Sequence, residues 1–234
     1  MIARQDLVST RAAILERIGE AATRAGRDPA TVEVVAVTKT VGADRIRAAI
    51  DAGFTTLAEN RVQERIAKAD DVGGGRWHLV GPLQSNKARR AIELFEVIET
   101  VDSLDIAERL SRIAGEVRPG VPLSVLLQVN VDDDPAKAGF DPAALERDVP
   151  AILGLPGIAV EGLMTVGRLV ETAELARPTF VALRALSERL RSRHAGLGPA
   201  LSMGMSEDYP IAVEEGATLV RLGRAIFGAR PATG

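Results

Sequence analysis

The chain reads as an α/β protein in which eight short strands alternate with helices and close into a (β/α)8 TIM barrel, with one extra helix at the N-terminal end. Three observations predict this. Apolar, β-branched runs of strand length recur along the chain, and segments with helical spacing or helix-cap residues lie between them. The units occupy about 200 residues, the usual scale of a closed barrel, although an open doubly wound sheet stays possible on pattern alone. Neither a Gly-x-Gly-x-x-Gly nor a Gly-x4-Gly-Lys-Ser/Thr fingerprint is present to favour the open alternatives.

The elements follow in order. Residues 5–25 carry Leu7, Ile14 and Ile18 at helical spacing and stop at Gly26, which predicts the leading helix. The run 32–38 is the first strand. In the helix 44–52, Ile46, Ala49 and Ile50 share a face and Gly53 takes the C′ position. Residues 55–58 form the second strand, and 77–80 the third, ended by the turn Gly81-Pro82. Residues 96–100 form the fourth strand; Asp102 then reads as the N-cap of a helix buried through Ile106, Leu110, Ile113 and Val117. The most apolar strand is 123–129, followed by a helix over 141–153 and a sixth strand at 158–162. A long helix covers 171–193, and 200–202 is a short seventh strand. Ser206 reads as an N-cap, with Glu207 and Asp208 in the first turn of a helix that Gly216 closes. Residues 218–222 make the last strand. Gly73-Gly-Gly75 is a loop, no linker or low-complexity segment appears, and 1–234 reads as one domain.

Composition narrows the function. With 46% hydrophobic and 26% charged residues the chain is globular and soluble. The absence of cysteine removes disulfides and thiolate chemistry, and two histidines, His78 and His194, make a zinc site improbable. A net charge of −3 argues against nucleic acid or an anionic membrane as partner. No apolar core of a signal peptide and no run of about 20 apolar residues is present, so a cytoplasmic location is expected.

Active sites of such barrels lie at the strand C-termini. Lys39 follows the first strand, Asn60 the second, Gln84-Ser-Asn-Lys87 the third, Asn130 the fifth, Met164-Thr165 the sixth, Ser202 the seventh, and Arg221-Leu-Gly-Arg224 the eighth. The chain has only four lysines and three asparagines, so their concentration at strand ends is not random. A lysine desolvated at a strand end loses proton affinity and can condense with an aldehyde as a Schiff base. By position alone Lys39 reads instead as an ammonium snorkelling out of the barrel mouth. The last two strands shift that balance. Ser202, the side-chain-free Gly204 and the consecutive amides of Gly223 and Arg224 form a phosphate cradle of the kind barrels place after strands 7 and 8. Arg221 shares their inward face. An aldehyde-reactive lysine on one wall and an anion cradle on the opposite one suggest a ligand that carries both an aldehyde and a phosphate.

These residues also resemble a known family. Ala36-Val-Thr-Lys-Thr40, Ala58-Glu-Asn-Arg-Val-Gln-Glu64, Trp77-His-Leu-Val-Gly-Pro-Leu-Gln-Ser-Asn-Lys87, Gly162-Leu-Met164, Leu201-Ser-Met-Gly-Met-Ser206 and Val220-Arg-Leu-Gly-Arg-Ala-Ile-Phe-Gly-Ala-Arg230 are similar, in order and over nearly the whole chain, to the pyridoxal phosphate homeostasis proteins. Those are relatives of the alanine racemase N-terminal barrel. The resemblance implies pyridoxal 5′-phosphate as cofactor, linked through Lys39. Ser202 and the amides of Gly223 and Arg224 hold the phosphate, Met203 lies in the same loop as a further cofactor contact, Arg221 faces the pyridine nitrogen, and Asn60 lies beside the ring. Two positions depart from the pattern: Ala58 stands where glycine is common and Arg224 where threonine is, which touches side-chain contacts but not backbone amides.

An arginine at the pyridine nitrogen disfavours its protonation and weakens the ring as an electron sink. A two-base racemase also needs a second group opposite the lysine; the related racemases take a tyrosine from an additional domain of the partner subunit. This chain runs about a dozen residues past its last strand and has one tyrosine, Tyr209. The expectation is therefore a non-catalytic or weakly active monomer that buffers or delivers cofactor, with transient contact to apo-enzymes. A racemase on an unusual substrate and a Schiff-base aldolase acting on a sugar phosphate are the alternatives. His78 reads as a packed or hydrogen-bonded strand residue, with an acid–base role as the alternative; Trp77 reads as packing. Tyr209 reads as a surface residue at a helix start or as a group reaching the site from the loop after strand 7, and Lys87 as a helix cap. Lys137 reads either as a group over the barrel mouth or as a loop lysine neutralised by nearby carboxylates, and Glu214 with Glu215 as a solvated helix end.

Overall fold

The computed structural model describes residues 4–168 and 170–229. Arg230, at the end of the last motif, and residues 1–3 lie outside them. Eight parallel strands close a barrel in sequence order, with β1 (Glu33–Val37) bonded to both β2 (Thr56–Glu59) and β8 (Leu219–Leu222). Between them run β3 (Arg76–Leu79), β4 (Val97–Val101), β5 (Leu123–Gln128), β6 (Ile158–Met164) and β7 (Ala200–Ser202). Alternation of side chains divides the core in two. Val35, Val37, Ala58 and Leu219, with Val80 and Ala200 against them, fill the barrel interior. Their neighbours Ala36, Leu57, Leu79, Val220 and Leu222 point outward into the larger core shared with the helices.

The helices are α1 (Arg4–Arg24), α2 (Ala43–Asp51), α3 (Val62–Lys68), α4 (Ala88–Leu94), α5 (Leu104–Val117), α6 (Pro142–Leu153), α7 (Arg177–Arg191), α8 (Tyr209–Glu214) and α9 (Arg224–Phe227). The leading helix α1 buries Leu7, Ile14, Ile18, Ala21 and Ala22 and packs on α8, α2 and α9. None of the described helices is long and apolar enough to cross a membrane.

Three helix starts differ from the sequence reading, each for a local reason. The fourth strand runs on to Val101, so the cap of α5 falls to Ser103, whose hydroxyl accepts from the Ile106 amide at 3.3 Å, and not to Asp102. Residues 173–176 form a 3-10 turn, and Pro178, lacking an N–H, starts a fresh helix in its first turn; α7 therefore begins at Arg177. Pro210 does the same for α8, which starts at Tyr209 with Glu207 and Asp208 ahead of it. Ser206 is not its cap. Nor is Glu214-Glu215 a solvated end. Arg24 of α1 and Arg177 of α7 each reach Glu214 at 2.7 Å, while Arg177 and Arg184 hold Glu215 at 2.6 and 2.9 Å. Three arginines converge on this end of α8 and tie it to two other helices.

Candidate functional site

At the C-terminal mouth of the barrel, Lys39 is half-buried on the turn that leaves β1. The Val41 amide closes this turn on the Thr38 carbonyl at 2.9 Å, and Thr40 adopts φ 64°, a left-handed conformation that costs a β-branched residue roughly 1–3 kcal/mol. Because the barrel closes, the strand next to β1 is β8, not a distant wall. A Cβ built on Gly223 would lie 3.5 Å from the Val37 carbonyl oxygen. The predicted lysine and the predicted anion cradle are thus neighbours and not on opposite walls, because closure of the barrel pairs the first strand with the last.

The cradle itself is rearranged. Among the described residues the Gly223 and Arg224 amides have no hydrogen-bond acceptor, and they stand at the start of α9. The hydroxyl beside them belongs to Ser206, which accepts from the Ala225 amide at 3.1 Å. Ser202 is elsewhere: its hydroxyl, fully buried, donates to Glu99 Oε2 at 2.5 Å and accepts from Arg221 Nη1 at 2.7 Å. Gly204 serves packing, since at φ 89° a Cβ there would come within 2.5 Å of Ala212 Cβ. The Met203 side chain joins the outer core, on the face away from Ser202. The exposed Arg224 side chain reaches Glu207 at 3.3 Å.

Below the mouth a polar chain crosses the interior. His78 Nδ1 is 2.6 Å from Glu99 Oε1; Glu99 accepts from Ser202; Ser202 accepts from Arg221, whose other Nη donates to the Thr165 carbonyl at 2.7 Å. Burial pushes the Glu99 carboxyl up, but the His78 hydrogen bond and charge, with Arg221, outweigh it and hold the group below the usual carboxylate range. Burial lowers the Arg221 guanidinium, against the pull of Glu99 and Asp208. His78 Nε2 is buried without a partner.

Asn60, half-buried after β2, lines a 320 Å³ cleft with Arg61, Val62, Gln63, Pro82, Gln84 and Lys87. Gly81 lets the third strand pass this backbone, since a Cβ would fall 2.1 Å from the Asn60 carbonyl oxygen. Lys87 occupies the residue before α4 without capping it through its side chain. Asn130 braces its own loop, donating to the Asp134 carbonyl at 2.8 Å and accepting from the Asp134 amide at 3.2 Å. Lys137 pairs within that loop, 3.4 Å from Asp132 and 3.7 Å from Asp134. Trp77 packs under Arg65, 4.2 Å from its ring centre. Tyr209 is not at the surface; it is buried beneath Arg17 of α1. The described residues contain no cluster of potential metal ligands.

Sequence reading missed Glu59, Lys68 and Glu99. A charged residue at an inward position of the apolar strand Val97–Val101 was the available signal for Glu99. Glu59 and Lys68 pair from a strand to a helix, and no periodicity announces such a contact.

Fold and site together define a barrel of the alanine racemase N-terminal type: the family model described as "Alanine racemase, N-terminal domain" matches residues 10–231. The alanine racemase of Clostridium difficile 630 shares that fold, with a TM-score of 0.73 at 14% identity over 93% of this chain and 56% of that one. Much closer are two proteins named pyridoxal phosphate homeostasis protein. The one from Pseudomonas aeruginosa is 44% identical over 223 residues, 94% of each chain, and the one from Escherichia coli K12 is 39% identical over 236 residues, 96% of this chain and 97% of that one. PipY of Synechococcus elongatus, solved with PLP bound, is 42% identical with a TM-score of 0.80, over 92% of this chain and all of that one. The chain belongs to the pyridoxal phosphate homeostasis protein family.

Proposed function

We propose that this protein holds pyridoxal 5′-phosphate covalently through Lys39 and buffers or delivers it, without fast turnover of its own. The observation that carries the reading is the adjacency, across the β1–β8 seam, of a half-buried lysine and two backbone amides at the start of α9 that have no acceptor among the described residues. The donor set suits the cofactor. The Lys39 amine would meet an aldehyde, the Gly223 and Arg224 amides and the Ser206 hydroxyl would suit a phosphate, and Asn60 would stand beside the ring. Arg221, already fixed by Ser202 and the Thr165 carbonyl, would supply a cation at the ring nitrogen. When bound, the cofactor supplies an electrophilic carbon and an electron-withdrawing ring, and a cation at its nitrogen weakens the second property.

The non-catalytic part of the reading rests on what surrounds Lys39. The sole tyrosine is buried under Arg17 of α1, away from the barrel mouth, and the His78 ring, paired with Glu99 through Nδ1, has no solvent exposure inside the barrel. The relatives are named for homeostasis rather than for a reaction. We place the protein in the cytoplasm as a monomer that meets apo-enzymes transiently.

Borohydride reduction of the protein loaded with pyridoxal phosphate, followed by peptide mass analysis, is expected to put the label on Lys39 and abolish the yellow colour. Label at the same site in Lys39→Ala would overturn the assignment. Solvent deuterium exchange at the α-carbon of added amino acids is expected not to exceed that of free cofactor; a clear excess would make the protein an enzyme.

A further inference from the structure

The direction of Lys39 is set by a turn rather than by a strand, and that turn is held from outside the barrel. Lys68 Nζ, at the end of α3, donates to the Thr38 carbonyl at 2.9 Å and to Glu59 Oε1 at 2.6 Å. The Thr38 hydroxyl lies 2.6 Å from the same carboxylate oxygen and 3.1 Å from the Ala58 carbonyl. Glu64, one helical turn before Lys68, accepts from the Thr40 amide at 3.3 Å. The Glu59 side chain has no exposure and that of Lys68 only 14%. An ion pair this buried is poor value as a stabiliser, since well-packed apolar residues commonly do as well. What it does that apolar residues cannot is grip both the carbonyl and the hydroxyl of the residue before Lys39. The strained φ of Thr40 shows a turn that needs such holding, because a left-handed β-branched residue relaxes unless its surroundings over-determine it.

We infer that Glu59 and Lys68 are positioning residues for Lys39: the buried pair clamps Thr38 and thereby fixes where the turn delivers the lysine beside Gly223. The inference rests on the reading of Lys39 as the attachment point. Glu59 also immediately precedes Asn60, so one carboxylate links the two loops of the site.

The test uses the full chain in four forms: Lys68→Met, Lys68→Arg, the double variant K68M/E59L, and Arg118→Met as control. Arg118 donates to the Phe95 carbonyl at the opposite end of the barrel. Two quantities are read: hydrogen exchange of the Val41 amide without cofactor, and the rate at which added pyridoxal phosphate becomes reducible onto Lys39. Lys68→Met is expected to speed Val41 exchange about tenfold or more and to slow capture by about tenfold. The double variant removes the unpaired charge and recovers thermal stability, yet keeps both defects; Lys68→Arg restores both in part. Arg118→Met loses stability but changes neither. Recovery of the capture rate along with stability in the double variant, or unchanged Val41 exchange, would overturn the inference and leave the pair purely structural. Absence of label on Lys39 in the unaltered protein would instead sink the attachment reading, while Val41 exchange still decides whether the clamp exists.

Discussion

At the scale of residues, two serines from one motif have separated roles. Ser202 bridges a buried carboxylate and a buried guanidinium; Ser206 faces the start of α9. Removing the bridge leaves buried polar groups short of a partner, so Ser202→Ala is expected to cost about 1–3 kcal/mol of folding stability. Ser206→Ala should fold normally and weaken pyridoxal phosphate binding by about tenfold, the worth of roughly one hydrogen bond to a charged group. Denaturant titration and cofactor titration of both variants check this. Equal losses of affinity with no loss of stability in Ser202→Ala would restore it to the phosphate. The motif was legible as a site signature, but it could not tell which serine meets the start of α9. That depends on the turn between β7 and α8, where Asp208 accepts from the Met205 amide at 2.6 Å and sets the course of the loop.

Among the elements, β6 depends on one backbone position. Val125 pairs with Val160 but Leu126 with Gly162, so Glu161 is the extra residue of a bulge. Gly162 sits there at φ 154°, and a Cβ would fall 2.0 Å from the Ala200 carbonyl oxygen on β7. No flexible side chain can give way at that contact. Gly162→Ala is therefore expected to lose more than about 4 kcal/mol, in the range reserved for backbone conflict in a core. A urea midpoint near that of the unaltered protein would show that the seam between β6 and β7 can open without loss. Strand and helix identities were readable from periodicity and caps. The sequence reading placed the end of β6 at Gly162 rather than Met164, because a glycine in an apolar run signals a turn as readily as a bulge.

For the whole molecule, the charged chain inside the barrel makes stability pH-dependent in a definite direction. Glu99 is held below the ordinary carboxylate value when folded. The unfolded state then binds the proton more readily, so its contribution is present above the ordinary value of about 4.5 and is lost as pH falls through the folded one. Glu59 runs the other way: burial raises its carboxyl against Lys68 and Thr38, and its share is lost as pH rises through the folded value. Glu99→Gln is expected to flatten the acid limb of a plot of unfolding free energy against pH. An unaltered acid limb would mean that other carboxylates set it.

The alternation of strands and helices, the apolar faces of the helices and the scarce lysine and asparagine at strand ends were determined by the sequence alone, because each rests on spacing within one element. Tertiary structure alone decided which serine meets α9, and that Lys68 of a helix grips Glu59 of a strand and the turn that bears Lys39. Those are contacts between segments far apart or differently periodic. A chain specifies them only through the packing and closure of the whole barrel, where every buried polar group must find its partner across the fold.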